Sequence, residues 1–226
     1  MTDQRARIEW RDGVPIAQAF DDPYYSLDNG VAETQHVFLA GNDLPARFGG
    51  NFQIAELGFG TGLNLLVTWA AWDKAGQPGT LSFTSFEAFP MAADDMAAAL
   101  GHFAELAPYA KALLAAWKPQ SGAIQLPNGP MLEVITGDAR ETLPAWDKQA
   151  NAWFLDGFSP AKNPELWEPT LLAAVGTHTK RGGTAATYSA AGAVRQALSG
   201  AGFEVTRVAG FGRKRHMTRA RMPDAK

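Results

Sequence analysis

The stretch Glu56-Leu57-Gly58-Phe59-Gly60-Thr61-Gly62-Leu63-Asn64 joins two runs of different period. Before it, Phe52-Gln53-Ile54-Ala55 suits a buried strand; after it, Leu65, Leu66, Trp69 and Trp72 recur at helical spacing. The glycines therefore fall at a strand-to-helix turn. Glycine there permits positive φ and removes Cβ atoms that would hold a ligand off the backbone. The free N–H groups of the following helix point into the same space. The spacing is G-x-G-x-G behind an acidic residue, not the dinucleotide G-x-G-x-x-G, and Leu63-Asn64 stand where a phosphate loop needs Lys-Ser or Lys-Thr. A ligand without phosphate fits such a turn. This motif alone also allows a glycine turn that holds nothing.

Outward from this turn, strands and helices alternate, which gives an α/β fold with a mainly parallel sheet. Residues 81–86 alternate apolar and polar and end at Glu87, where a second parallel strand offers a carboxylate to the hydroxyls of a ribose. A helix-capping or turn carboxylate is the competing reading. Residues 91–100 and 103–117 read as alanine-rich helices. Residues 123–126 and 131–135 flank Asn128-Gly129 as a hairpin, and the second arm runs into Gly137-Asp138-Ala139. Asp138 can accept from an adenine amino group, cap the helix starting at Ala139, or do both. A fourth strand over 152–155 ends in Asp156, which puts a carboxylate beside the reacting end of a bound cofactor, or else in a surface turn. A helix over 166–179, a turn at Gly182-Gly183, a strand over 184–188, a helix around Val194 to Ala201 and a closing strand pair over 203–208 and 211–218 complete the pattern.

The segment before the glycine turn reads as a cap: a hairpin within 8–20, the tyrosine pair Tyr24-Tyr25 in an irregular stretch, and a helix over 31–48. The division is residues 1–50 as cap and 51–226 as the main domain, one structural unit. The tyrosines line a pocket or cover the core edge. At 226 residues and 46% hydrophobic, the chain has a sizeable core and no apolar run of membrane-span length. The N-terminus shows no apolar signal region. With no cysteine there are no disulfides or thiolates, and the four histidines are scattered singly. A cytoplasmic protein without metal is expected. The net charge of −3 weighs against extensive non-specific nucleic-acid binding. The basic run 213–221, containing Arg213, Lys214 and Arg215, suits either nucleic-acid contact or a charged edge strand.

Taken together, the glycine turn, Phe86-Glu87 with Phe89-Pro90, Gly137-Asp138 and the long run Trp153-Phe154-Leu155-Asp156-Gly157-Phe158-Ser159-Pro160-Ala161-Lys162-Asn163-Pro164 resemble the methyltransferase domain of the bifunctional tRNA wobble-uridine enzyme MnmC and its stand-alone relatives. Residues 190–195, residues 210–215, Glu33-Thr34, and Phe38-Leu39 with Gly41-Asn42 match the same family. The resemblance covers nearly the full chain. It implies a Rossmann-like fold with a seven-stranded, mainly parallel sheet and an antiparallel last strand. It also implies S-adenosylmethionine as cofactor, held by Glu56, Gly58, Phe59, Gly60, Thr61, Gly62, Glu87, Gly137, Asp138 and Ala139. The implied reaction is N-methylation of the primary amine of 5-aminomethyl-(2-thio)uridine in the tRNA anticodon loop. No second glycine fingerprint follows, so methylation alone is expected and a separate enzyme must generate the amine.

On that reading Asp156 is the catalytic residue: it orients the amine lone pair and helps draw off its proton. Positioning of this kind can remove roughly 7–11 kcal/mol of a bimolecular barrier. Tyr24, Tyr25 and Phe158 stack the flipped-out base, and Lys162, Arg213, Lys214 and Arg215 reach phosphates. Methylation of a small-molecule amine, aminopropyl transfer and a catalytically silent nucleotide-binding scaffold are the rival readings.

Overall fold

The computed structural model describes residues 5–26, 29–118 and 122–224. Residues 1–4 of the N-terminus read above as lacking a signal region lie outside these, as do Leu27 and Asp28 of the tyrosine segment. Strands β1 (Ile8–Arg11), β2 (Val14–Ala17) and β3 (Asp22–Pro23) form a small antiparallel sheet. Asp12 and Gly13 take positive φ between β1 and β2, the conformation that a tight hairpin requires. Helix α1 (Gly30–Thr34) is capped by the Asn29 side chain and passes into wider and tighter turns over Gln35–Leu39 and Ala40–Asn42. The helix expected to run on to Phe48 stops there. Asp43 turns left-handed at φ 56° and Pro45 disfavours a helical residue before it.

The main sheet begins with β4 (Asn51–Leu57), followed by α2 (Leu63–Lys74), β5 (Thr80–Glu87), α3 (Ala93–Leu100) and α4 (Ala107–Ala116). It continues through β6 (Ile124–Gln125), β7 (Met131–Thr136), α5 (Ala139–Thr142), β8 (Ala150–Leu155) and α6 (Pro169–Thr177). It closes with β9 (Thr179–Thr187), α7 (Gly192–Gly200), β10 (Glu204–Ala209) and β11 (His216–Arg221). The order is β10-β11-β9-β8-β4-β5-β7-β6. Strands β7, β5, β4, β8 and β9 run parallel, and β11 is antiparallel to both its neighbours. The sheet has eight strands rather than seven: β6, two residues long, pairs antiparallel with the edge of β7.

Three further boundaries differ from the sequence reading. Gly182-Gly183 does not end a helix–strand turn but lies inside β9, where a register shift against β8 absorbs the extra residues. Helix α6 starts at Pro169, after a separate short turn over Pro164–Trp167. Strand β11 begins at His216, so Arg213, Lys214 and Arg215 belong to the loop before it.

Alternation along the strands divides the core between the two faces. Ile54, Phe83, Ala152 and Phe154 pack with Leu65, Leu66 and Leu113 on one side. Ala55, Leu57, Trp153 and Leu155 pack with Leu143, Leu172 and Leu198 on the other. A sheet covered on both faces leaves its strand ends as the place where polar side chains can gather. No helix among the described residues is long and apolar enough to cross a membrane.

Candidate active site

The carboxyl ends of β4, β5 and β8 open on a cavity of about 1100 Å³ that the tyrosine segment, α1 and the β10–β11 loop also line. Gly58 fixes how closely two of these ends approach. It sits at φ +89°, and a Cβ there would stand 2.8 Å from the Asp156 carbonyl oxygen. The Asp156 N–H in turn donates to the Leu57 carbonyl at 3.1 Å. At Gly60, also of positive φ, a Cβ would come within 3.1 Å of the Tyr24 ring. The Gly60 N–H donates to Glu87 Oε2 at 3.0 Å, and Phe89 N–H donates to Glu87 Oε1 at 2.7 Å. Glu87 is thus fixed by backbone donors, with lone pairs remaining on each oxygen.

Beneath the turn lies a network that sequence reasoning did not find. Asn64 Nδ2 donates both to Glu56 Oε1, at 2.9 Å, and to Asp156 Oδ2, at 2.6 Å. Its Oδ1 accepts from Thr34 Oγ1 at 2.8 Å, and Ser85 Oγ donates to Glu56 Oε2 at 2.8 Å. Burial raises the Glu56 carboxyl well above the usual range, despite the hydrogen bonds from Asn64 and Ser85. Burial likewise pushes Asp156 up to about 7, against the opposing Asn64 bond and Lys214 charge and with some help from Glu33. The signal for Asn64 was its place in the first turn of α2, eight residues after Glu56. Its amide was quoted with the motif but given no role.

Of the residues singled out from sequence, Gly58, Phe59, Gly60, Thr61, Glu87, Asp138, Ala139 and Asp156 line the cavity. So do Tyr24, Tyr25, Phe158, Arg213 and Lys214. Glu56, Gly62, Gly137, Lys162 and Arg215 are not part of its wall. Glu56 is 1% exposed and faces Asn64. Gly62 caps α2, and Gly137 donates its N–H to the Glu87 carbonyl at 3.0 Å. Lys162 is drawn to Asp21 and Asp22. Asp138 is the N-cap of α5 and pairs with Arg140 at 2.6 Å, which holds its carboxyl below the usual range.

The aromatic groups pack on one another at the cavity. Phe158 stacks on Phe20 at 4.8 Å and meets Tyr24 edge-on at 5.2 Å. Tyr25 meets Phe103 edge-on at 5.2 Å. Phe20, Glu33 and Tyr188 line the same space and were given no role from sequence. Tyr188 Oη donates to the Gly157 carbonyl at 2.7 Å, so the ring is fixed to the loop that follows Asp156.

These groups suit a nucleoside bearing positive charge better than one bearing phosphate. No lysine or arginine lies within the glycine turn, whereas carboxylates stand at or just past the ends of β5, β7 and β8, at Glu87, Asp138 and Asp156.

A family profile described as S-adenosyl-L-methionine-dependent methyltransferase matches residues 104–223. The tRNA 5-methylaminomethyl-2-thiouridine biosynthesis bifunctional protein MnmC of Chromobacterium violaceum is 42% identical over 100% of this chain and 36% of its own length. MnmC of Idiomarina loihiensis is 46% identical over 91% of this chain and 36% of its own length. The chain therefore spans little more than a third of these curated relatives. The crystal structure of MNMC2 from Aquifex aeolicus matches with a TM-score of 0.74 at 26% identity, covering 100% of this chain and 74% of that one.

Proposed function

From the premise that this chain belongs to the S-adenosyl-L-methionine-dependent methyltransferases, we propose that it N-methylates the primary amine of 5-aminomethyl-(2-thio)uridine at the tRNA wobble position. The likeness to MnmC along the whole chain supports this reading. The observation that carries it is Asp156, a half-buried carboxyl on the cavity wall, held by Asn64 and pushed up to about 7. A group of that proton affinity is ionised in a useful fraction at neutral pH and can take a proton from an amine.

When bound, S-adenosylmethionine supplies an electrophilic methyl group on its sulfonium. Glu87 would hold the ribose hydroxyls through the lone pairs its two backbone donors leave free. Asp138 and Ala139, which line the same cavity, would hold the adenine, and the backbone of residues 58–61 would hold the remainder of the cofactor. Asp156 orients the amine through a hydrogen bond and relieves it of a proton, since only the neutral amine has a lone pair to give. Asn64 holds the Asp156 carboxylate in place while Thr34 holds Asn64. Glu56 acts from below, through Asn64. Phe158 with Phe20 and Tyr24 offers the apolar faces for a flipped-out base.

Arg213, Lys214 and Arg215 bring positive charge to the loop beside the cavity, where an anticodon loop would lie. Lys162, committed to Asp21 and Asp22, instead fastens the cap to the loop after β8. Residues 1–50 act as the cap and 51–226 as the catalytic unit of a cytoplasmic enzyme. The amine it consumes must be formed on the base by an earlier reaction. Incubating the protein with methyl-labelled S-adenosylmethionine and tRNA from cells blocked at the aminomethyl stage tests the reading. Label is expected in 5-methylaminomethyl nucleosides; its absence there overturns the assignment.

A further inference from the structure

One stretch of the cavity wall already holds an ammonium group that the chain supplies itself. Lys214 Nζ lies 2.8 Å from Glu33 Oε1 and 3.9 Å from the centroid of the Tyr188 ring. Three separate parts of the chain meet there: the β10–β11 loop, α1 of the cap and the residue just after β9. The carboxylate and the ring are built into the wall. Glu33 is 14% exposed, and the Tyr188 ring is anchored through its hydroxyl to Gly157 and packs edge-on to Trp167. Lys214, by contrast, keeps 45% of its side chain exposed on a loop. A carboxylate beside an aromatic face is a general recognition site for ammonium groups.

Three carboxyl groups lie near the Tyr188 ring. Asp156, Asp22 and Glu33 all act on Tyr188, while Lys214 is the cation over its ring. Asp22 has partners of its own, the Ser159 N–H at 2.8 Å and Lys162 at 3.5 Å. Asp156 has Asn64. Among the described residues, Glu33 has Lys214 as its side-chain partner.

We propose that Glu33 and Tyr188 form the subsite for the ammonium group of the methyl acceptor, and that Lys214 is a resident cation which the acceptor displaces. The inference rests on the reading above that the acceptor is an amine. The amine arrives protonated, pairs with Glu33 over the Tyr188 face, and then loses one proton to the Asp156 carboxylate, leaving a neutral amine and a carboxylic acid. Lys214 keeps Glu33 paired while no acceptor is present. A base lacking the amine must either leave Lys214 in the subsite or strand a largely buried carboxylate, so the exchange selects for the amine.

The test uses protein saturated with S-adenosylhomocysteine and titrated by calorimetry with 5-aminomethyluridine and with uridine. Lys214→Met is expected to tighten the aminomethyl nucleoside about fivefold while leaving uridine unmoved. Lys214→Arg keeps a cation in place and stays near wild type. Glu33→Gln weakens the aminomethyl nucleoside about tenfold or more, towards the affinity of uridine. Neither nucleoside carries a phosphate, so a lysine that serves only phosphates would leave both affinities unchanged in Lys214→Met. That result overturns the proposal, as do weaker or undetectable amine binding in Lys214→Met and unchanged binding in Glu33→Gln. Methyl transfer to tRNA is scored separately. Transfer without these affinity changes sinks the subsite and spares the reaction; charge-selective amine binding without transfer does the reverse.

Discussion

Two carboxyl groups in this protein share one amide beside the cavity. Asn64 donates to Glu56 and to Asp156, and both carboxyls are pushed upward, chiefly by burial. Asp156 moves from an ordinary value of 3.8 to about 7. Below 3.8 the folded and unfolded chains both hold the proton. Between 3.8 and about 7 only the folded chain does, so this group's contribution to stability declines as pH rises through that window and then levels off. Asp156→Asn should therefore melt at a higher temperature than wild type at pH 8, with the gain shrinking towards pH 4, as read by calorimetry. The same variant should lose methyl transfer by about a hundredfold or more while keeping its cofactor affinity. If Asp156 takes the amine proton as proposed, turnover in the wild type should rise with pH through about 7, as its carboxyl ionises. Asn64→Ala removes a hydrogen bond that favours the ionised form. Its pH–rate midpoint should shift alkaline; an unmoved midpoint would show that Asn64 positions nothing.

At the scale of elements, the site depends on how β4, β5 and β8 end. Gly58 brings the end of β4 against that of β8, and its positive φ and close approach to the Asp156 carbonyl leave no room for a side chain. Gly58→Ala is expected to cost about 1–3 kcal/mol of stability and to weaken the cofactor as well. Thermal melts and binding isotherms on the same sample measure both. Helix α5 offers a milder case, since Asp138 caps it through the Arg140 N–H at 2.9 Å. Asp138→Ala should cost about 1 kcal/mol and reduce cofactor affinity without altering the pH–rate midpoint. The elements themselves were legible from the chain because their periods and glycine turns are local signals. The irregularity within β9 was not: Gly182-Gly183 reads as a turn, yet backbone bonds to Met222 just past β11 hold it in line with the sheet, between stretches of β9 that pair with β8. The end of the helical run at Asn42 was hidden by Leu44 and Phe48 after it, which pack inward without being helical.

Across the whole molecule, charge is distributed unevenly. The net charge is −3, while Arg207, Arg213, Lys214 and Arg215 all lie on β10 or on the loop that follows it. If tRNA is the acceptor, its affinity should fall as salt is raised. The double change Arg213→Ala and Arg215→Ala should weaken tRNA and flatten the salt slope by up to about 2. Cofactor affinity should stay within error. Filter binding across a salt series measures this, and an unchanged slope removes these residues from the RNA contact.

The amino-acid sequence by itself determined the alternation of strands and helices, the glycine turn and the carboxylates that end three strands. Each of these is written in neighbouring residues, through side-chain period, turn chemistry or an acidic group placed directly after an apolar run. The tertiary structure decided which of these groups meet. It placed Glu56 behind Asn64 rather than on the cavity wall, tied Lys162 to Asp21 and Asp22, and set Lys214 between Glu33 and Tyr188. Such pairings join residues far apart in the chain, Glu33 and Lys214 being 181 positions apart. They depend on burial and on competition among partners, neither of which is encoded at any single position.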